Sequence, residues 1–139
     1  MAALAPGTLE YSNVRILVSD FARSWAFYRD VLGLTPRAGH GAPPYGEFVA
    51  GHRTVVGLFE QRLMADATGL VAGTRPASDV GRSALILETR DVDAVAKELE
   101  RQKIPLLRGP TDRPAWQLRT IHLQDPDGYL IEIYSPIGT

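Results

Sequence analysis

The amino-acid sequence predicts an α+β fold in which two βαβββ modules form a single domain, residues 1–139. The order of one strand, one helix and three strands can be read twice along the chain from the spacing of its apolar residues. The two halves also match each other, with a shift of about 71 residues early in each half and about 75 residues later. We expect the modules to span residues 11–60 and 83–136, joined by an alanine- and glycine-rich linker, residues 61–82.

The first module begins with a predicted strand in which apolar side chains alternate with others, so that one face is apolar. Val14, Ile16 and Val18 form that face and are expected to pack under a helix. Asp20 is a helix N-cap residue, and an apolar stripe at helical spacing predicts the helix, which Gly33 ends. The predicted elements are a strand at 13–18, a helix at 21–32 and strands at 34–37, 45–50 and 54–60.

The second module repeats this order. Leu85 and Leu87 of its first strand are expected to face the helix, which Asp91 caps at its N-terminus. The last two strands form a hairpin around the sequence DPDG, Asp125 to Gly128, which is a strong turn signal. The predicted strands are residues 83–89, 104–108, 116–124 and 129–134, and the helix follows the first of them.

The composition is that of an ordinary soluble globular protein, with 45% hydrophobic and 22% charged residues. The 15 basic and 16 acidic side chains give a net charge of −1, so no overall field favours nucleic acid or an anionic membrane. The absence of cysteine excludes a disulfide scaffold, a thiolate metal site and a cysteine nucleophile. No apolar run approaches the roughly 20 residues of a transmembrane helix, and the N-terminus lacks the features of a signal peptide. We therefore expect a cytoplasmic protein.

Three stretches carry a recognisable pattern: VSDFARSWAFYRDVLGL (Val18 to Leu34), ETRDVDAVAKELERQKI (Glu88 to Ile104) and DPDGYLIEIYSP (Asp125 to Pro136). Together with the paired modules they resemble the vicinal oxygen chelate superfamily, which contains glyoxalase I, extradiol dioxygenases, fosfomycin-resistance enzymes and bleomycin-resistance proteins. The resemblance implies the glyoxalase-like fold, a rolled and mostly antiparallel sheet with helices outside. One face of that sheet lines a cavity.

The resemblance also implies four metal-ligand positions on the cavity face, because metal-using members chelate a divalent ion that binds two neighbouring substrate oxygens. In this sequence the four positions fall on Asn13, Gly57, Ala84 and Glu132. Of these, Glu132 alone carries a carboxylate, and one carboxylate does not hold a catalytic divalent ion in water. We therefore expect no metal cofactor, and a displaced divalent metal is the alternative.

The chain has three histidines that could compensate for the missing ligands. His40 and His52 lie in predicted loops, where exposed side chains are expected. His122 lies on the seventh predicted strand, and its direction depends on the register of the hairpin. Pairing of Gln124 with Tyr129 turns His122 toward the helix, whereas a bulge at the turn directs it into the cavity.

Without a metal, the resemblance implies a drug- or metabolite-binding protein of the bleomycin-resistance type, which acts as a homodimer. Such a role needs aromatic surface for stacking and a few placed polar groups. We expect a small-molecule ligand and neither a nucleic-acid nor a membrane partner. The predicted ligand-binding residues are Asn13, Arg15, Tyr45, Glu47, Phe59, Ala84, Glu88, Trp116, Arg119, His122 and Tyr134, with Phe48 as a further aromatic candidate.

Glu132 permits two interpretations. It is either a remnant of a ligand position that pairs with Arg15 or Arg119, or a general base whose pKa is raised in a partly apolar cavity. The second interpretation predicts an enzyme of the same superfamily, a lyase, isomerase or dioxygenase, with Glu132 as the catalytic residue or with a displaced metal. A structural or accessory dimer without pocket chemistry is a third interpretation.

Overall fold

The computed structural model describes residues 3–9, 11–71 and 83–137, with the backbone alone at His40. The first module contains β1 (Arg15–Val18), α1 (Phe21–Ala26) extended by a π turn (Phe27–Val31), β2 (Thr35–Ala42), β3 (Tyr45–Ala50) and β4 (Arg53–Glu60), and α2 (Gln61–Thr68) follows. The second module contains β5 (Ala84–Glu88), α3 (Val92–Arg101), β6 (Arg108–Arg113), a short 3₁₀ turn (Pro114–Trp116), β7 (Leu118–Gln124) and β8 (Leu130–Pro136). None of the helices in these described ranges is both long and apolar enough to cross a membrane.

Each module forms a four-stranded mixed sheet, and the two sheets share one strand order, β1-β4-β3-β2 and β5-β8-β7-β6. In each sheet the first and last strands of the module pair in parallel, and the other neighbours are antiparallel. Parallel neighbours need a long connection, which the helix and the two intervening strands supply. The α+β fold of two βαβββ modules predicted from the sequence is confirmed.

Alternation along the strands gives each sheet a helix face and an opposite face, which we call the open face. On the helix face of the first sheet, Phe48 stacks on Trp25 of α1 with ring centroids 4.2 Å apart, and Val56 and Leu58 are fully buried. The helix face of the second sheet buries Ile121, Leu123, Ile131 and Ile133. The core therefore lies on the helix side of both sheets, and most of the predicted site residues lie on the open faces.

Two expectations for the first module are wrong. Val14 is 56% exposed rather than packed under the helix, and it lies just before β1 with its carbonyl accepting a bond of 2.9 Å from the backbone N–H of Gly57. His40 belongs to β2 and not to a loop, since that strand is eight residues long. His52 lies in the turn between β3 and β4 and is exposed, as predicted.

The sixth strand also differs from expectation, whereas the helical turn expected around Leu63 to Ala67 in the linker is present. The strand predicted at 104–108 begins only at Arg108. Ile104 and Leu106 instead pack on the core from the loop that follows α3. The predicted linker opens with α2, a helix of eight residues, and its remainder, residues 72–82, lies outside the described residues.

The DPDG turn between β7 and β8 docks against the first module. Asp125 is 5% exposed, and its Oδ2 accepts a hydrogen bond of 2.8 Å from the Tyr28 hydroxyl of the π turn. Burial and the Asp125 carboxylate raise the pKa of Tyr28, so the hydroxyl keeps its proton and donates. Asp127 accepts from the backbone N–H of Ser19, and the Tyr129 hydroxyl donates to a carbonyl of β1 at 3.0 Å. These bonds fix the two modules relative to each other.

Candidate functional site

The duplication gives the two open faces the same arrangement with different side chains. The strand registers place on the first open face Arg15, Tyr45, Glu47, Gly57 and Phe59. The corresponding residues of the second open face are Ile86, Thr120, His122, Glu132 and Tyr134. The first face therefore combines a cation with aromatic rings, and the second carries a histidine beside a carboxylate.

A buried carboxylate lies at the centre of the first open face. Glu47 is 7% exposed and accepts hydrogen bonds from three side chains. The donors are the Tyr45 hydroxyl, Nη1 of Arg37 at 2.7 Å and the Thr54 hydroxyl at 3.1 Å. These bonds, led by that from Tyr45, hold the pKa of Glu47 below its usual value although burial opposes them. Burial, followed by the Glu47 carboxylate, raises the pKa of Tyr45, so Tyr45 is a neutral donor to an ionised acceptor.

Arg15 lies over two aromatic rings of the first open face. Its guanidinium carbon is 4.8 Å from the centroid of the Tyr45 ring and 5.6 Å from that of Phe59. Such cation–π contacts favour one position of the guanidinium. Arg15 is exposed, and none of the ion pairs formed within residues 11–71 and 83–137 includes it. The first open face thus presents a positioned cation to solvent.

Gly57 lies under this stack, paired with Arg15 on one side and Glu47 on the other. A Cβ at this position would lie 3.1 Å from both Cε2 and Oη of Tyr45 and 3.4 Å from Cγ of Arg15. The Tyr45 ring can occupy this place because glycine has no side chain. The space over the fourth-strand ligand position is therefore filled.

His122 and Glu132 form a pair on the second open face. Gln124 pairs with Leu130 and not with Tyr129, so His122 lies opposite Glu132 and faces the open side of the sheet. Nε2 of His122 is 2.8 Å from Oε1 of Glu132, and the side chains are 18% and 14% exposed. A carboxylate oxygen can accept this bond from the Nε2–H tautomer of the imidazole. His122, and neither Arg15 nor Arg119, is the partner of Glu132.

The remaining predicted residues of the second open face lie on β5 and β8. On the parallel strands β5 and β8, Tyr134 pairs with Glu88 and Ala84 pairs with Leu130. Loss of solvent, followed by the Glu88 carboxylate, raises the pKa of Tyr134, so its hydroxyl stays protonated. Ala84, Glu88, His122, Glu132 and Tyr134 therefore share one face, as their predicted role requires.

Two predicted binding residues lie on the helix side instead. Arg119 donates to Asp93 of α3 through two bonds of 2.8 and 2.9 Å, and to Asp112 of β6 at 3.0 Å. It thereby ties α3 to the second sheet. Phe48 is fully buried against α1 and contributes to the core.

Trp116 and Asn13 lie at the margins of the sheets. Trp116 is 55% exposed in the 3₁₀ turn before β7, with the Arg113 guanidinium carbon 5.6 Å from its ring centroid. Asn13 precedes β1, and its amide donates to the Ser12 hydroxyl at 2.9 Å. Both residues are near strand ends rather than at the centre of an open face.

The four positions that the resemblance assigns to a metal do not fit a divalent ion here. Gly57 and Ala84 offer no side-chain donor, and Asn13 offers a neutral amide. Glu132 together with His122 supplies two donors, whereas catalytic metal sites commonly use three protein ligands. Among the described residues, no group of three or more His, Cys, Asp or Glu side chains is placed to hold a metal.

Sequence reasoning missed three polar residues near the open faces. Arg37 and Thr54 complete the hydrogen bonding of Glu47, and Arg108 pairs with His122 across β6 and β7. Finding these residues from the sequence would need the register between neighbouring strands. The sequence does not specify that register, because β2 and β6 each contain an irregularity.

Comparison with known proteins identifies the family of this chain. The family model described as Glyoxalase/Bleomycin resistance protein/Dioxygenase superfamily matches residues 11–133. The chain is also similar to the uncharacterized protein YraH of Bacillus subtilis (strain 168). The identity is 32% over 122 residues, which cover 88% of this chain and 94% of that protein.

Solved structures share the fold. A protein of unknown function from Agrobacterium tumefaciens str. C58 has a TM-score of 0.74 and 26% identity, with 93% of this chain and 95% of that chain covered. A glyoxalase/bleomycin resistance protein/dioxygenase from Nocardioides has a TM-score of 0.73 and 20% identity over 98% and 92% of the two chains. A lactoylglutathione lyase from Agrobacterium tumefaciens has a TM-score of 0.67 and 23% identity over 94% and 95%. The last two are similar in fold alone.

Proposed function

Since the chain belongs to the glyoxalase/bleomycin resistance protein/dioxygenase superfamily, we propose that it binds a small molecule, a drug or a metabolite, without a divalent metal. Small-molecule sites combine apolar and aromatic surface with a few placed polar groups. The first open face offers this combination in Arg15, Tyr45 and Phe59. The second offers Tyr134 beside the His122–Glu132 pair.

The Tyr45 ring over Gly57 is the observation that carries this proposal. A metal ligand at that position would need a side chain, and the Cβ of that side chain would lie 3.1 Å from the ring. The ring cannot move aside freely, because its hydroxyl is bonded to the buried Glu47. Metal chemistry would therefore require dismantling this arrangement, whereas binding of a small molecule without a metal does not need a donor at residue 57.

Chemical-shift mapping on isotope-labelled protein tests the proposal. The protein is treated with a chelator, dialysed and titrated with indole, benzamide and benzoate as probes. We expect shifts of backbone amides on the strands that carry the open faces, unchanged after an equivalent of Zn²⁺ or Mg²⁺ is added. Binding that appears only after metal addition would contradict the proposal, as would the absence of shifts on both faces with all three probes.

The His122–Glu132 pair favours a second candidate function, proton transfer in a lyase or isomerase. A carboxylate that is 14% exposed and oriented by a 2.8 Å hydrogen bond is positioned as a general base. Glu132 would accept a proton from a carbon next to a carbonyl group, and His122 would hold the carboxylate in place. The family membership is compatible with such an enzyme.

Hydrogen–deuterium exchange at the C3 protons of phenylpyruvate, followed by NMR in D₂O, tests this second function. If the function is present, the protein accelerates exchange, Glu132→Gln loses the acceleration, and His122→Gln keeps part of it because the base is still present. Glu98→Gln serves as a control, since Glu98 is an exposed carboxylate of α3. Equal exchange rates for the natural protein and Glu132→Gln would exclude the base role.

A further inference from the structure

We infer that Arg15 determines ligand specificity by binding a carboxylate or similar oxyanion, so that the ligand class is an aromatic acid. This inference rests on the proposed binding function and names the chemistry of its ligand. A guanidinium on β1 beside Gly57 supplies a cation that can bind two oxygens at once.

The position of Arg15 is set before any ligand binds. Its guanidinium lies over the Tyr45 and Phe59 rings. Its Cγ lies 3.4 Å from the place that a Cβ at residue 57 would occupy. A hydrogen bond to the Tyr45 hydroxyl engages part of the guanidinium, and its other N–H groups can form bidentate bonds to a carboxylate. The side chain is exposed, so an incoming anion can reach it. Less conformational entropy is lost on binding than with a mobile arginine.

The charge of Arg15 is not cancelled by the carboxylate on the same face. Glu47 is committed to Arg37, which binds its Oε2 at 2.7 Å, and to the Tyr45 and Thr54 hydroxyls. Arg37 and Glu47 thus neutralise each other as an ion pair. Of the charged side chains named on the first open face, Arg15 therefore keeps its charge for a ligand.

The surroundings of the cation favour an acid that carries a ring. The Tyr45 and Phe59 rings lie with centroids 6.1 Å apart and planes tilted by 58°, next to the guanidinium. Such a surface packs against an aromatic body while the acidic group pairs with Arg15. A purely polar anion such as phosphate would pair with Arg15 but would gain nothing from the neighbouring rings.

Benzoate and its neutral analogue benzamide separate charge recognition from ring binding. Shift titrations at fixed ionic strength are expected to give about tenfold or tighter binding of benzoate than of benzamide, the size of a charge-assisted hydrogen bond. The Nε–Hε resonance of Arg15 should shift with benzoate and not with benzamide. Arg15→Gln should weaken benzoate binding about 10- to 100-fold and leave benzamide binding unchanged.

Two further variants complete the test. Arg29→Gln removes an exposed arginine that pairs with Asp30, and it should leave both probes unaffected. Arg15→Lys keeps the charge without the planar fork and should bind benzoate with intermediate affinity. The amide spectrum of each variant verifies that it is folded.

Equal affinities of the natural protein for the two probes would overturn the inference, as would full benzoate binding by Arg15→Gln. Either result leaves the proposed metal-independent binding intact, because the same titrations measure it. If neither probe nor indole binds, the proposed function fails and the inference fails with it.

Discussion

A methyl group added at Gly57 would meet the Tyr45 ring at 3.1 Å. Because Glu47 holds that ring and β4 is a central strand, we expect Gly57→Ala to lower the free energy of unfolding by about 1–3 kcal/mol, as overpacking does. Gly109→Ala on β6 is the matched control, since a Cβ there has no neighbour within 4 Å. Urea denaturation measures both variants. Equal stability of the two would contradict the packing described for the first open face.

Glu47 gives a pH-dependent prediction at the same scale. Its pKa in the folded protein lies below 4.5, so its stabilisation is present above that pH and is lost as the pH falls through the folded-state pKa. We expect Glu47→Gln to cost about 1–3 kcal/mol at pH 7, because it weakens charge-assisted bonds to a buried group. The difference from the natural protein should shrink below pH 4.5.

Glu98→Gln is the control for this pH series. The Glu98 carboxylate also has a lowered pKa, through Arg101, but both side chains are exposed on α3. Exposed pairs contribute little, so its effect on thermal unfolding should be small at every pH. A Glu47→Gln effect that is constant from pH 7 to pH 3 would refute the ionised state assigned to Glu47.

At the scale of elements, the docking of the DPDG turn on the π turn of α1 can be measured by a double-mutant cycle. Tyr28→Phe leaves the buried Oδ2 of Asp125 without its 2.8 Å donor, and Asp125→Ala removes the acceptor. We expect a coupling free energy of about 0.5–3 kcal/mol between the two changes in urea denaturation. Tyr28→Phe combined with Asp66→Ala, an exposed residue of α2, should be additive. Additivity in the first cycle as well would show that the turn does not dock through this bond.

Local signals explain which elements were predictable. Asp20 and Asp91 cap α1 and α3 as expected, accepting backbone N–H bonds of 3.1 and 3.0 Å, because capping depends on residues three positions away. The start of β6 depends on where distant strands begin to pair. The sequence does not contain that information in any local pattern.

In the candidate site, too, features set by local sequence were predictable and features set by strand pairing were not. Period-two alternation correctly places Tyr45 and Glu47 on one face, and it also shows that Arg119 and His122, three residues apart on β7, face opposite ways. Predicting that Glu47 pairs with Arg37, and that Glu132 pairs with His122, needs the register between neighbouring strands. Sequence motifs alone do not give that register.

At the scale of the whole molecule, the homodimer expected from the family resemblance stays a prediction. Ile86 on the open face of the edge strand β5 is 49% exposed, and Val14 beside β1 is 56% exposed, as apolar contact surface would be. Light scattering after gel filtration should give a mass about twice 15.2 kDa. A mass equal to that of one chain at all concentrations would contradict the expectation.

Binding without a divalent metal is the property on which the functional account depends. Calorimetric titration of the chelator-treated protein with Zn²⁺, Ni²⁺ and Mn²⁺ measures it most directly. Because Gly57 and Ala84 offer no donor and Tyr45 fills the space over Gly57, we predict no saturable one-to-one binding of any of the three ions. One-to-one binding of any of them that disappears in Glu132→Ala would contradict the account.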